Sequence, residues 1–318
     1  MLQDYFSELR RFHCTYPETA EQTIYTCPIV FDRNSNESPV LVRCADIFWC
    51  WAGVSLEWHP LQIPISVYSI PYRLAESVDG WDTGPGAIGE DMHMLLKCFW
   101  SSKGRVRTRV IYSAASQCDI SGSGKKGCFP IDIDSHRARF AQATRHMWGS
   151  LDTGYSIMQW LRSPHLPNLK HFAIAHILWQ THFYPVHITI SLIISSLYSA
   201  VLGENFHPAF TLLSNMRSYV GIVSIIGINI GFYTFDMYHN ACAEARAQDM
   251  AGIPSLISPR KKWHWSFIAE RFVIPFAGIL YGSIPAAIAE FCHLWTDRLA
   301  YVVSKKPSFS LPTIMRSS

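Results

Sequence analysis

No Cys-x-x-Cys pair occurs among the nine cysteines, which are scattered from Cys14 to Cys292. That excludes a zinc ribbon and a thioredoxin-like redox site, and leaves free thiols in a reducing compartment as the plain reading. A basic stripe is lacking too. Residues 1–180 carry 17 Lys+Arg against 17 Asp+Glu and the remainder 10 against 7, so the whole net charge of +3 is thinly spread over the second part. Nucleic acid, which needs cations tracking phosphates, is therefore a poor partner. The start, "MLQDYFSELRRFH", has charges where a secretory signal needs an apolar core, so no cleavable signal is expected. "GSGKKG" at 122–127 lacks the Lys-Ser/Thr ending of a phosphate-cradling loop and reads as a flexible connection.

What the chain does have is long stretches without formal charge. "FYPVHITISLIISSLYSAVLG" runs from Phe183 to Gly203, and two further stretches lie at 218–235 and 272–289, the last span being taken on past Glu290 to 295. Each suffices to cross a hydrocarbon core of about 30 Å as a helix. Three spans are the simplest expectation, with three buried helices of a soluble bundle as the alternative. The connection holding Arg246, Arg260, Lys261, Lys262 and Arg271 is basic, whereas the one between the first two spans holds only Arg217. By the positive-inside rule the N-terminal region is then cytosolic, although Lys305 and Lys306 in the 304–318 tail argue the other way. On that topology the sequon at Asn36 carries no glycan. Gly227 and Gly231 form a small-x-x-x-small step suited to close helix contact, and Pro275 and Pro285 suit kinks in the third span. Before the spans, residues 166–182, with most of "NLKHFAIAHILWQTHF" (168–183), read as a helix lying in the membrane interface. His171, His176, His182 and His187 lack metal-ligand spacing.

Residues 1–165 read as mixed α/β. "LQIPISVYSI" and "RVRTRVIYSAAS" have strand-like content, and "PVLVRCADIFWCWAGV" alternates too irregularly to assign. "SVDGWDTGPGAIGED" is a glycine-rich loop leading into the helix "MHMLLKCFW", and "SHRARFAQATRHMWGSLDTGYSIMQWL" reads as one long helix. At the mouth of the first helix stand Glu90 and Asp91. Taken alone, carboxylates there are ordinary helix-start residues; the alternative is a catalytic pair, since one held ionised at a helix N-terminus can take a proton from a hydroxyl. Downstream, Gln142, Arg145 and Trp148 stand three apart, so neighbouring members can share a helix face. Arginine can chelate phosphate and an indole can stack on a sugar, while the same residues also suit an interfacial helix.

The order of these features, glycine-rich loop, Glu-Asp, Gln-x-x-Arg with a nearby Trp, then membrane spans, resembles the processive family 2 glycosyltransferases of membranes, the clan of chitin, cellulose and hyaluronan synthases. The wording "FDRNSNESPVLVRCADIFWCW", "IPISVYSIPYRLAESVDGWDTGPGAIGEDMHMLLKCFW" and "RHMWGSLDTGY" is similar to a fungal branch of that clan, from about Tyr25 to about Trp295. The resemblance implies that Asp91 is the general base on an acceptor hydroxyl, with Glu90 beside it. Gln142 and Arg145 would lie near a departing diphosphate, Trp148 near the acceptor sugar, and Asp82 of the glycine-rich loop would join the substrate-binding set. It implies a nucleotide-sugar donor, a glycan acceptor, inversion, and a divalent cation (Mn²⁺ or Mg²⁺). It also implies the acceptor-side, C-terminal part of a GT-A domain followed by about three spans. Two departures stand out. His146 follows Arg145 where the clan has Trp, and no Asp-x-Asp stands among the 89 residues before Glu90. "DID" at Asp132–Asp134 lies on the wrong side of Glu-Asp and reads as a turn and helix start. The donor-binding half with its metal ligands is therefore expected to be missing, and a non-catalytic relic, or a membrane subunit partnering a full-length synthase or an N-terminal half, is the alternative reading.

Overall fold

The computed structural model describes residues 2–35, 37–55, 59–83, 89–120, 132–163, 168–202, 208–249 and 265–299. The sequon at Asn36, residues 84–88 of the glycine-rich loop, the 122–127 segment, the basic cluster at 260–262 and the tail lie outside them. Helices α1 (Leu2–Thr15) and α2 (Pro17–Ala20) lead into strand β1 (Thr23–Thr26), followed by β2 (Ile29–Phe31), α3 (Val40–Ser55), β3 (Tyr68–Ser69) and α4 (Tyr72–Glu76). Next come α5 (Glu90–Ser101), β4 (Arg107–Val110), β5 (Ala115–Gln117), α6 (Ile133–Met147), a 3₁₀ turn (Trp148–Ser150) and α7 (Leu151–Arg162). The remainder is helical: α8 (Asn168–Leu178), a π turn (Trp179–Phe183), α9 (Tyr184–Leu202), α10 (Pro208–Asp249), α11 (Trp265–Gly278), a second π turn (Ile279–Ser283) and α12 (Ile284–Cys292).

Two small sheets organise the first part. One has the order β3-β1-β4, with β1 antiparallel to β3 and parallel to β4; the other pairs β2 with β5 in parallel. Every residue of β1, "TIYT", is buried because the strand is covered on both faces. Ile24 enters the core built on Met94, Leu95 and Phe99 of α5. Tyr25, pointing the other way, meets His13 and Phe12 of α1. The far side of α5 is covered by Ile174 and Ile177 of α8, so the helix expected in the interface has one face in this core and leaves Leu169, Phe172 and Trp179 exposed.

The structure departs from the sequence-based expectations at identifiable places. The irregular stretch at 40–55 is α3, apolar on two sides because α11 and α10 cover one and α6 another, which is why no single periodicity shows. Only Tyr68–Ser69 of "LQIPISVYSI" is strand. Pro64 has no N–H for a ladder, and Ser66 takes a positive φ of 55°. The single helix expected around residues 135–161 is broken by the 3₁₀ turn at Trp148–Ser150. The expected helix start at Asp132 is observed, its carboxylate accepting the Ser135 N–H at 3.0 Å.

Among the described residues two helical stretches are long and apolar enough to cross a membrane, Ser218–Gln248 and Phe267–Cys292. The first sits inside a 42-residue helix and so outruns the expected 218–235; the second begins before 272 and stops at Cys292, short of 295. The remaining expected span, 183–203, falls on α9, of which several side chains lie outside the described set. Along α10, Tyr219, Val220, Ile222, Val223, Ile225, Ile226 and Ile230 are exposed, an uncovered apolar surface of the kind lipid covers. Both π turns come just before a proline, Pro185 and Pro285, whose missing N–H interrupts the α ladder. Ser283 Oγ donates to the Pro185 carbonyl across them at 2.7 Å.

Polar contacts tie the apolar helices to the first part. Arg43 of α3 pairs with Glu270 of α11 at 2.6 Å, both buried, and Arg246 of α10 pairs with buried Asp32 at 2.6 Å. Trp51 of α3 rests on α10, its Nε1 donating to the Gly231 carbonyl at 3.0 Å. Gly231 of the small-x-x-x-small step thus receives an indole, while Gly227 has open space above it.

Candidate active site

Glycine opens the site. Gly89, with φ of 86°, is the residue before α5 and adopts the left-handed conformation that a side chain would strain. Glu90 and Asp91 then occupy the first turn of α5, where the helix dipole favours negative charge. Asp91 Oδ2 accepts from the Ser66 N–H at 3.1 Å and Oδ1 from the Met92 N–H at 2.8 Å. Burial nonetheless raises its pKa above the usual aspartate value, the backbone N–H groups opposing that shift. Glu90 accepts a hydrogen bond from the Tyr68 hydroxyl at 2.8 Å, and that hydroxyl in turn accepts from Trp81 Nε1 at 2.7 Å. Desolvation lifts the Glu90 carboxyl as well, with smaller contributions from Asp91 and Asp82.

One turn past Glu90 stands His93, which the sequence reading passed over. Its Nδ1 lies 2.6 Å from Asp152 Oδ1 of α7 and its Nε2 3.4 Å from Asp82 Oδ2. The ring also packs on Tyr155, with centroids 4.6 Å apart. With a carboxylate at each nitrogen the ring is best satisfied as the imidazolium, and the Asp152 hydrogen bond raises its pKa. Lys97 completes the group, its Nζ 2.9 Å from both Asp82 Oδ1 and the Gly80 carbonyl. Asp82, 40% exposed, is therefore held over α5 by two cations while keeping one face in solvent. The signals for these partners were present as His93 three residues after Glu90 and as Asp152 in "DTGY". Nothing local connects the two.

The segments carrying Glu-Asp and Gln-x-x-Arg meet at a pair of glycines. A Cβ on Gly89 would lie 3.3 Å from Gly149 Cα, and one on Gly149 would lie 3.3 Å from His182 Nε2. The mouth of α5 thus rests against the 3₁₀ turn that follows α6. Arg145 sits half-buried in the last turn of α6, and Gln142 accepts a hydrogen bond from Arg139. Trp148 is only 3% exposed. Its Nε1 donates to the Asp297 carbonyl at 3.0 Å and its ring meets His293 at 4.5 Å, which leaves little of the indole open for a sugar to stack on. Asp132 of the "DID" segment spends both carboxylate oxygens on Ser135.

The α/β part thus gathers carboxylates at the mouth of α5, against the turn that leads into α7, and continues into long apolar helices. The family model for glycosyl transferase family group 2 matches residues 1–302, and the chain belongs to that family. Its function class is therefore that of a glycosyltransferase. Comparisons with curated proteins and with solved structures gave no match.

Members of this family commonly use a divalent cation. Among the described residues no group of three His, Cys, Asp or Glu side chains is arranged to hold one. The nearest exposed carboxylate, Asp82, already binds an ammonium and an imidazole, a poor cradle for a hard cation that wants oxygens around it. These residues do not fit the metal.

Proposed function

We propose that the chain is a membrane-bound glycosyltransferase that moves a sugar from a nucleotide-sugar to a hydroxyl of a glycan acceptor in a single inverting displacement. The acceptor O–H proton passes to Asp91 as the oxygen attacks the anomeric carbon. The bond from that carbon to the diphosphate breaks, and the diphosphate departs with the bonding electrons. One observation carries the reading: a family match spanning 1–302 coincides with an Asp91 whose two oxygens are fixed by backbone donors and whose basicity is raised by burial. A base serves best when its pKa moves towards the working pH. Glu90, tied to Tyr68, borders the site; Gln142 and Arg145 attend the leaving diphosphate; Asp82 offers its solvent face to the substrate. Trp148, buried as it is, contributes to acceptor binding by fixing the turn at Gly149. α9, α10 and the α11–α12 helix are the spans, with the N-terminal part in the cytosol and a growing polysaccharide as the acceptor class.

The test is sugar transfer by the chain in lipid nanodiscs, followed as nucleoside diphosphate release with a panel of nucleotide-sugars. Asp91→Asn keeps an oxygen for one of the Ser66 and Met92 N–H groups, turns its NH₂ on the other, and removes the base. Turnover is expected to fall about 10²- to 10⁴-fold in protein that still folds, with a small drop in melting temperature for the lost hydrogen bond. Activity within about tenfold of wild type would return the pair to a helix-start role. Turnover that appears only on co-expression with a full-length synthase or an N-terminal half would favour the membrane-subunit reading.

A further inference from the structure

Behind Gln142 lies a buried chain of charge that the reaction as described does not use. Arg139, one turn earlier on α6, is 1% exposed, and its NH1 donates to Gln142 Oε1. The same NH1 lies 3.0 Å from Asp46 Oδ1 of α3, itself buried. Next to Asp46 is Asp119, fully enclosed, its backbone locked to Asn34 by bonds of 2.7 and 3.2 Å. Burial and the neighbouring Asp46 carboxylate push the Asp119 pKa well up.

The chemistry of the carboxamide gives this chain a consequence. A guanidinium only donates, so the oxygen of the Gln142 amide must turn towards Arg139. Its NH₂ is then the end directed at any ligand, and an NH₂ can only donate. Left to rotate, the same amide would present oxygen and nitrogen alternately, and an oxygen facing a diphosphate repels it.

We propose that Arg139 is a positioning residue, held by Asp46, which fixes the Gln142 amide with its NH₂ towards the anionic leaving group. The assignment rests on the placing of Gln142 at the departing diphosphate. It makes Gln142 a selective donor to phosphate oxygens and links that selectivity to α3.

A double-mutant cycle on the full chain in nanodiscs tests it, with kcat and KM for the nucleotide-sugar measured separately. Arg139→Met is expected to lower kcat/KM about 10- to 100-fold, and Arg139→Lys, which retains a charged donor, to recover most of that. In a Gln142→Ala background the Arg139→Met change should cost nothing further, because the group it positions is gone. Equal losses in both backgrounds would mean that Arg139 acts only through packing, and would overturn the inference while leaving Gln142 in place. A Gln142→Ala enzyme with wild-type kinetics would remove the role of Gln142 and the inference with it. Should Arg139→Met not accumulate as folded protein, the same cycle run with Asp46→Asn decides the matter on the same criteria.

Discussion

Replacing Gly231 by alanine forces a collision between the apolar helix α10 and α3. A Cβ at Gly231 would stand 1.9 Å from Trp51 Cζ2 and 2.4 Å from its Cε2, so the contact has to open by about 1 Å to reach the 3.0 Å floor of real Cβ contacts. The indole is rigid and cannot swing aside freely. Its Nε1 is bonded to the carbonyl of residue 231 itself, and its ring rests on Phe232 with centroids 5.6 Å apart. Overpacking of this kind costs about 1–3 kcal/mol and loss of the hydrogen bond a further ~0.5–1.5 kcal/mol, so about 2–4 kcal/mol is at stake. Gly227, one turn earlier, has nothing within 4 Å of its would-be Cβ, and alanine there should be neutral or slightly stabilising. Thermal unfolding in detergent, read by tryptophan fluorescence, is expected to show Gly231→Ala lowered by roughly 5–10 °C and Gly227→Ala unchanged. In a Trp51→Ala background the Gly231 change should lose its effect. Equal midpoints for the two glycine variants would refute the packing argument, and a persistent Gly231 effect without Trp51 would assign the cost to another neighbour.

His93 gives a pH signature. Asp152 raises its pKa above the ordinary 6.5, so the stability it contributes is complete below pH 6.5 and is lost as pH rises through the folded value. Asp152 is itself raised, burial outweighing the imidazolium, so the ion pair exists only between the two folded values. The stability difference between wild type and His93→Gln should therefore shrink as pH rises from about 6 through the alkaline side of neutrality; a difference independent of pH would sink the assignment. For the buried pair at the helix junction, Glu270→Gln leaves the Arg43 charge without its partner and should cost about 3–5 kcal/mol, measured as a fall in unfolding midpoint, whereas combining it with Arg43→Met should return much of that loss. A single and a double variant equally unstable would show that the pair does not act as a unit.

The sequence by itself determined what is local. Charge-free runs announced the long apolar helices because length without charge is a matter of consecutive residues. Asp132 announced the start of α6 because a cap bonds three residues ahead. Glu90 and Asp91 were legible at the mouth of α5 because carboxylates favour the positive end of a helix. What only the tertiary structure decided are pairings between elements far apart in the chain: His93 with Asp152 at 59 residues, Trp51 with Gly231 at 180, Arg43 with Glu270 at 227. It also decided that α3 is a helix, since a segment covered on two sides shows no amphipathic period, and that Trp148 turns into the protein against His293 rather than outwards. Backbone preferences and caps reach about one helical turn along the chain. Which buried charge finds its partner, and which of two identical glycines receives an indole, depends on how the helices pack, and no spacing within a segment encodes that.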